Sequence, residues 1–222
     1  MTRVFPLINK NKSSGDWFRK KTWTKSDQDD FFLHLKRAKD PSKAQYIRIQ
    51  AVTLQKVDPT ASLKLLQELI ANYPDSRELA QVYCQLAECY ISLGQSKEAI
   101  DAFMSSFQAE RSLPNFKTQA YLKFGLFIVK NELKDLYPPA IKILNEFGTH
   151  LLFPKDKYQF NTIKAIVSYE DGVIDQAKQY AQHALEAAAQ THSGLRYHPT
   201  VGVVSQQDGF LEQKLKQILE TK

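Results

Sequence analysis

The chain has 222 residues, 43% of them hydrophobic, with 30 Lys or Arg against 24 Asp or Glu and a formal charge of +6. It is too apolar for intrinsic disorder and long enough for one substantial core or one helical solenoid, so a single domain is the simplest expectation. No stretch reaches the ~18 apolar residues of a membrane span, and the apolar run before Asn9 is too short for the core of a secretory leader. The sequence therefore reads as a soluble, cytoplasmic protein.

Residues 1–25 form a basic, aromatic N-terminal arm. They hold seven cations (Arg3, Lys10, Lys12, Arg19, Lys20, Lys21 and Lys25) against Asp16 alone, while the other 197 residues carry 23 charges of each sign. The arm also holds Trp17, Phe18 and Trp23. One reading packs these rings on the first helices as a cap and leaves the cations in water. The other uses Arg19, Lys20 and Lys21 as contacts to an anion or partner, with the rings stacked on bases or set against an anionic surface. Ring burial at ~25 cal/mol per Å² favours the first. A neutral body points the same way, because nucleic-acid binders carry basic charge on their folded face too.

Helix starts and stops then punctuate the chain clearly. Ser26 precedes Asp27, Asp29 and Asp30 at the positive end of a helix dipole. Asp40-Pro41 and Asp58-Pro59 each set a capping carboxylate before a proline at the first helical position, where its missing N–H costs nothing. Asp75 with Glu78 resembles a capping box, and Asp156 after Pro154 marks a further start. With Gly94, Gly148 and Gly172 as stops, these signals predict ten helices near 27–39, 41–56, 59–72, 76–93, 96–110, 116–134, 138–149, 156–170, 174–190 and 206–220. Nothing alternates with a period of two for long enough to demand a sheet, so the expected class is all-α. Residues 193–209 break the helical pattern. The final amphipathic helix, bearing Phe210, Leu211, Leu215, Ile218 and Leu219, is expected to cover the open end of the helices before it.

Within this all-α pattern one segment is more specific. Tyr83, Leu86, Ala87 and Tyr90, then Gly94, Ala99 and Phe103, place small residues where two helices cross, a glycine in the turn and large rings toward neighbouring pairs. Ala61, Ala99, Ala140 and Ala177 each open a second helix, at steps of about 37–41 residues against the 34 of a regular array. The segment resembles a tetratricopeptide repeat, and residues 41–190 resemble about four degenerate units of one. The resemblance implies a right-handed α-α superhelix over a single domain, 26–222, with a C-terminal loop and capping helix at 191–222.

It also implies a function. Such repeats usually grip a peptide or partner helix in a groove lined by the first helix of each pair, here Gln81, Gln85 and Glu88 with Cys84. These residues do not match the Lys, Arg and Asn of the subtype that clamps a C-terminal carboxylate, so an uncharged or basic segment is the better fit. The expected role is a non-catalytic adaptor for a protein or peptide partner; the alternative is a nucleic-acid or anionic-surface binder acting through the arm.

No enzyme chemistry competes with these readings. The sequence holds no phosphate-binding glycine loop, HExxH or nucleophile elbow. Cys84 and Cys89 stand about 140° apart on one helix, which disfavours a disulfide between them, and the five histidines are scattered, so neither metal nor cofactor is expected. Arg196, Tyr197 and His198, with His192 nearby, form a candidate polar loop site but offer no nucleophile paired with a base.

Overall fold

The computed structural model describes residues 16–221; the arm cations Arg3, Lys10 and Lys12 lie outside the described residues. Those residues form ten α-helices and no strand: α1 (Lys25–Arg37), α2 (Asp40–Leu54), α3 (Pro59–Asn72), α4 (Leu79–Ser92), α5 (Ser96–Ser112), α6 (Ala120–Lys130), α7 (Tyr137–Phe147), α8 (Pro154–Glu170), α9 (Ile174–Ala188) and α10 (Gly209–Glu220). A 3-10 turn, Lys134–Leu136, leads into α7. The chain divides into two compact units, one ending at Lys117 and the other beginning at Thr118.

In the first unit, α2 packs on α3 and α4 on α5, and α3 also packs on α4, so that the two pairs stack. Ile47, Leu54, Leu66, Leu69, Phe103 and Phe107 are fully buried there, each worth roughly 1.5–3 kcal/mol over exposure. The second unit repeats the plan with α6 on α7 and α8 on α9, while α10 lies across both α8 and α9. Ala165, Ala177, Ala181 and Ala184 are completely buried and let α8 and α9 approach closely. Gly125 does the same between α6 and α8: a Cβ there would stand 2.6 Å from Ile163 Cδ1. Leu211, Leu215 and Ile218 bury the apolar face of α10, as its spacing predicts, whereas Phe210 at its first turn stays 38% exposed and Leu219 is half-buried.

Three of the four pairs share one turn. At the end of α4, Gly94 takes φ +72° and the Gln95 N–H donates to the Tyr90 carbonyl five residues back at 2.9 Å. After α8, Gly172 takes φ +76° and the Val173 N–H donates to the Ser168 carbonyl at 2.9 Å. This is a Schellman closure, which satisfies carbonyls left over at the helix end and favours glycine. The end of α6 closes in the same way, with the Leu133 N–H on the Ile128 carbonyl at 3.1 Å, but the left-handed residue is Glu132, φ +51°. Without a glycine to mark it, the helix read from sequence as 116–134 is in fact about one turn shorter at each end: it begins only at Ala120 and stops at Lys130.

Other helix starts also moved. Thr24, not Ser26, caps α1, in a reciprocal capping box with Asp27. Asp40 is the first residue of α2 and bonds Lys43 instead of the backbone, and Glu78 turns away from a capping box to pair with Arg48. The α8 start shifts to Pro154, which puts Asp156 in its first turn. Asp58 behaves as read, accepting from the Ala61 N–H at 2.9 Å.

Candidate functional site

The best-formed pair, α4–α5, is built from the residues that marked it in the sequence. Ala87, Ala99 and Phe103 are completely buried. Tyr83 and Tyr90 are half-buried, and the Tyr90 hydroxyl receives a bond from Gln67 of α3 at 3.3 Å, linking this pair to the one before it. The Ser106 hydroxyl donates to the Ala80 carbonyl at 2.7 Å and locks α5 onto the start of α4. The Ser106 bond lies at the end of the pair opposite the Gly94 turn, so α4 and α5 are held together at both ends.

The predicted groove residues are not equivalent on α4. Gln81 and Glu88 are partly exposed. Gln85 is only 6% exposed, its Oε1 without a hydrogen-bond partner, and Cys84 is fully buried. Cys89 points into the first unit, its thiol donating to Ser62 at 3.2 Å. Burial pushes that thiol's pKa up, which keeps it protonated and unreactive.

At the arm, Trp17 lies against Phe18, Phe31, His34 and Tyr46, with ring centroids between 4.8 and 5.4 Å apart, and Trp23 lies against Phe31 and Phe32. These rings bridge α1 and α2. Lys20 is held within the unit: its backbone N–H and carbonyl both bond the side chain of fully buried Gln50, at 2.9 and 2.8 Å, and its ammonium meets Asp30 at 2.6 Å. Arg19 lies over the Phe18 ring and pairs with Asp16 at 3.4 Å. Lys21 is exposed. The structure thus spreads the three arm cations over different surroundings.

In the C-terminal loop, Arg196, Tyr197 and His198 are all exposed, and Arg196 stacks on Tyr197. The hydroxyl of Ser193 donates to the His198 carbonyl at 2.8 Å, so this loop contact uses backbone, not the imidazole. No group of three or more His, Cys, Asp or Glu able to hold a metal ion occurs among the described residues. No described helix is long and apolar enough to cross a membrane.

Sequence reasoning missed the electrostatic setting of the second unit. Lys130 bonds Asp208 at 2.6 Å and Lys214 bonds Glu132 at 3.0 Å, tying α10 to the end of α6. The Lys130 bond holds the Asp208 carboxyl below its usual range. Burial instead raises that of Asp156, which accepts from Gln119 at 2.9 Å. These partners lie 37 to 82 residues apart, a separation that carries no local sequence signal.

Paired helices, three of the four closed by Schellman turns, with small residues at the crossings, define a helical-repeat protein. Residues 80–112, which span α4–α5, match the tetratricopeptide repeat family model, and the chain is a tetratricopeptide-like helical repeat protein. Repeats of this kind typically serve protein–protein interaction and carry no catalysis. Comparison with curated proteins and with solved structures gives no match.

Proposed function

We propose that the protein is a non-catalytic adaptor that binds a protein or peptide partner through the first helix of its best-formed repeat. The observation that carries this reading is the α4–α5 pair: a matched tetratricopeptide repeat whose first helix leaves Gln81 and Glu88 partly open to solvent. Gln81 offers an amide with both donor and acceptor, and Glu88 a carboxylate, a combination suited to an uncharged or basic segment. Burial of Gln85 narrows the contact face to those two positions.

The arm reading gains less support. Lys20 is engaged inside the unit and the tryptophans spend their faces on Phe31, His34 and Tyr46, so residues 16–25 act first as packing. Tagged protein purified from its native cells and analysed by mass spectrometry should retain a protein partner, and Glu88→Lys should weaken that complex at unchanged melting temperature. A complex that survives Glu88→Lys intact argues for a different surface.

A further inference from the structure

The loop between α3 and α4 separates two clefts of the first unit that the functional reading does not use. The first, 570 Å³, lies between the loop residues Asn72 to Glu78 and the opening turns of α2, at Asp40, Pro41 and Ala44. The second, 370 Å³, lies on the other side of Pro74, Asp75, Ser76 and Arg77, floored by Leu79 and Ala80 and closed by Leu113 and Phe116 after the end of α5. Both fall in the size range of ligand sites.

Their chemistries differ. At the first cleft the Asp40 carboxylate stands open, 88% exposed, while its partner Lys43 is only 21% exposed. Asp75 adds an exposed carboxylate that forms no ion pair or side-chain hydrogen bond with the described residues. Glu78, which also lines this cleft, is already paired with Arg48. The second cleft is apolar, and Leu113 and Phe116 stay 41% and 40% exposed at its rim. Arg77 lines both clefts, and its guanidinium lies 5.8 Å from the Phe116 ring, which lines the second.

We propose that these two clefts form one docking surface for an extended peptide segment of a partner, which places a Lys or Arg at Asp40 and Asp75 and a large apolar side chain between Leu113 and Phe116. Charge complementarity selects the basic residue, and the shared wall Pro74–Arg77 sets it next to the apolar anchor along one strand of peptide. A small molecule would fill one cleft and leave the other wet, whereas a peptide uses both. The proposal rests on the adaptor reading but uses a surface separate from Gln81 and Glu88.

The test pans a phage-displayed random dodecapeptide library on the full chain. Enriched sequences should carry Lys or Arg a few residues from Phe, Leu or Trp, and synthetic versions should lose at least about tenfold in affinity to Asp75→Lys and to Phe116→Ser. Both positions are exposed, and matching circular dichroism and melting curves will verify that the variants fold. Enrichment of acidic peptides, no enrichment at all, or binding that both variants leave unchanged overturns the proposal. A synthetic peptide of residues 1–15 that outcompetes every selected sequence at this site overturns it too, because the occupant is then this chain's own segment. If a native partner is lost on Glu88→Lys but kept by Asp75→Lys, the adaptor reading stands and this surface falls.

Discussion

The two ends of the described chain are closed by different physics. Residues 16–37 close the first unit with rings: Trp17 and Trp23 meet on fully buried Phe31, and Lys20 is fastened through the buried amide of Gln50. α10 closes the second unit with an apolar face that is pinned by Lys130–Asp208 and Lys214–Glu132 at its edge. Ring packing depends little on salt or pH, whereas exposed ion pairs respond to both. An end made of the same number of helical turns can thus be permanent or conditional, according to what its side chains carry.

The largest expected effect breaks the ring-built end. Phe31→Ala removes the ring on which both tryptophans rest and should cost about 3–5 kcal/mol, read as a lower urea midpoint by tryptophan fluorescence. The loss should be the same at low and high salt. A loss below about 1 kcal/mol would mean that the arm rings are not structural.

A smaller effect sharpens the other side of the comparison. Asp208 caps α10, accepting from the Phe210 and Leu211 N–H groups, and also bonds Lys130. Its carboxyl is held low chiefly by that Lys130 bond. A carboxyl depressed in the folded state contributes stability that is present above the unfolded value and lost as pH falls through the folded one. Acid should therefore loosen α10 along Leu211 to Ile218, seen as rising amide exchange, whereas α1, whose Asp27 is also held low by the Thr24 bond, should fray at its first turn and keep its ring-packed part around Phe31. Asp208→Asn should cost about 1 kcal/mol at neutral pH and flatten that acid response. Equal exchange at both ends through the acid range would erase the distinction drawn between them.

The smallest effect concerns the turn that no glycine marks. Glu132→Gly relieves a left-handed φ, worth about 1 kcal/mol, and gives up the solvent-exposed bond to Lys214, which offsets part of that gain. A net gain under about 1 kcal/mol in thermal melts is expected. A net loss would show that the Lys214 contact, not backbone strain, dominates that corner.

The fold was legible wherever the signal was local. Helical period, Pro59 after Asp58, and Gly94 and Gly172 placed most helices within a few residues, because caps and left-handed turns are written in the residues that form them. Glu132 escaped, since a non-glycine residue there is held by its surroundings and not by its own preference. The site was less legible. Gln81, Gln85 and Glu88 share a predicted face, yet Gln85 is buried; periodicity assigns a face, and tertiary packing decides how much of it stays open. The clefts beside Pro74–Arg77 had no signal at all, because they join α2, the α3–α4 loop and the end of α5.

The central claim is that the first helix of the α4–α5 pair meets a partner. A photo-crosslinking amino acid at Gln81, compared with one at exposed Met104 of α5, tests it most directly in the native cell. The account predicts a discrete protein adduct from position 81 that position 104 does not give. Adducts from 104 alone, or none from 81, would contradict it.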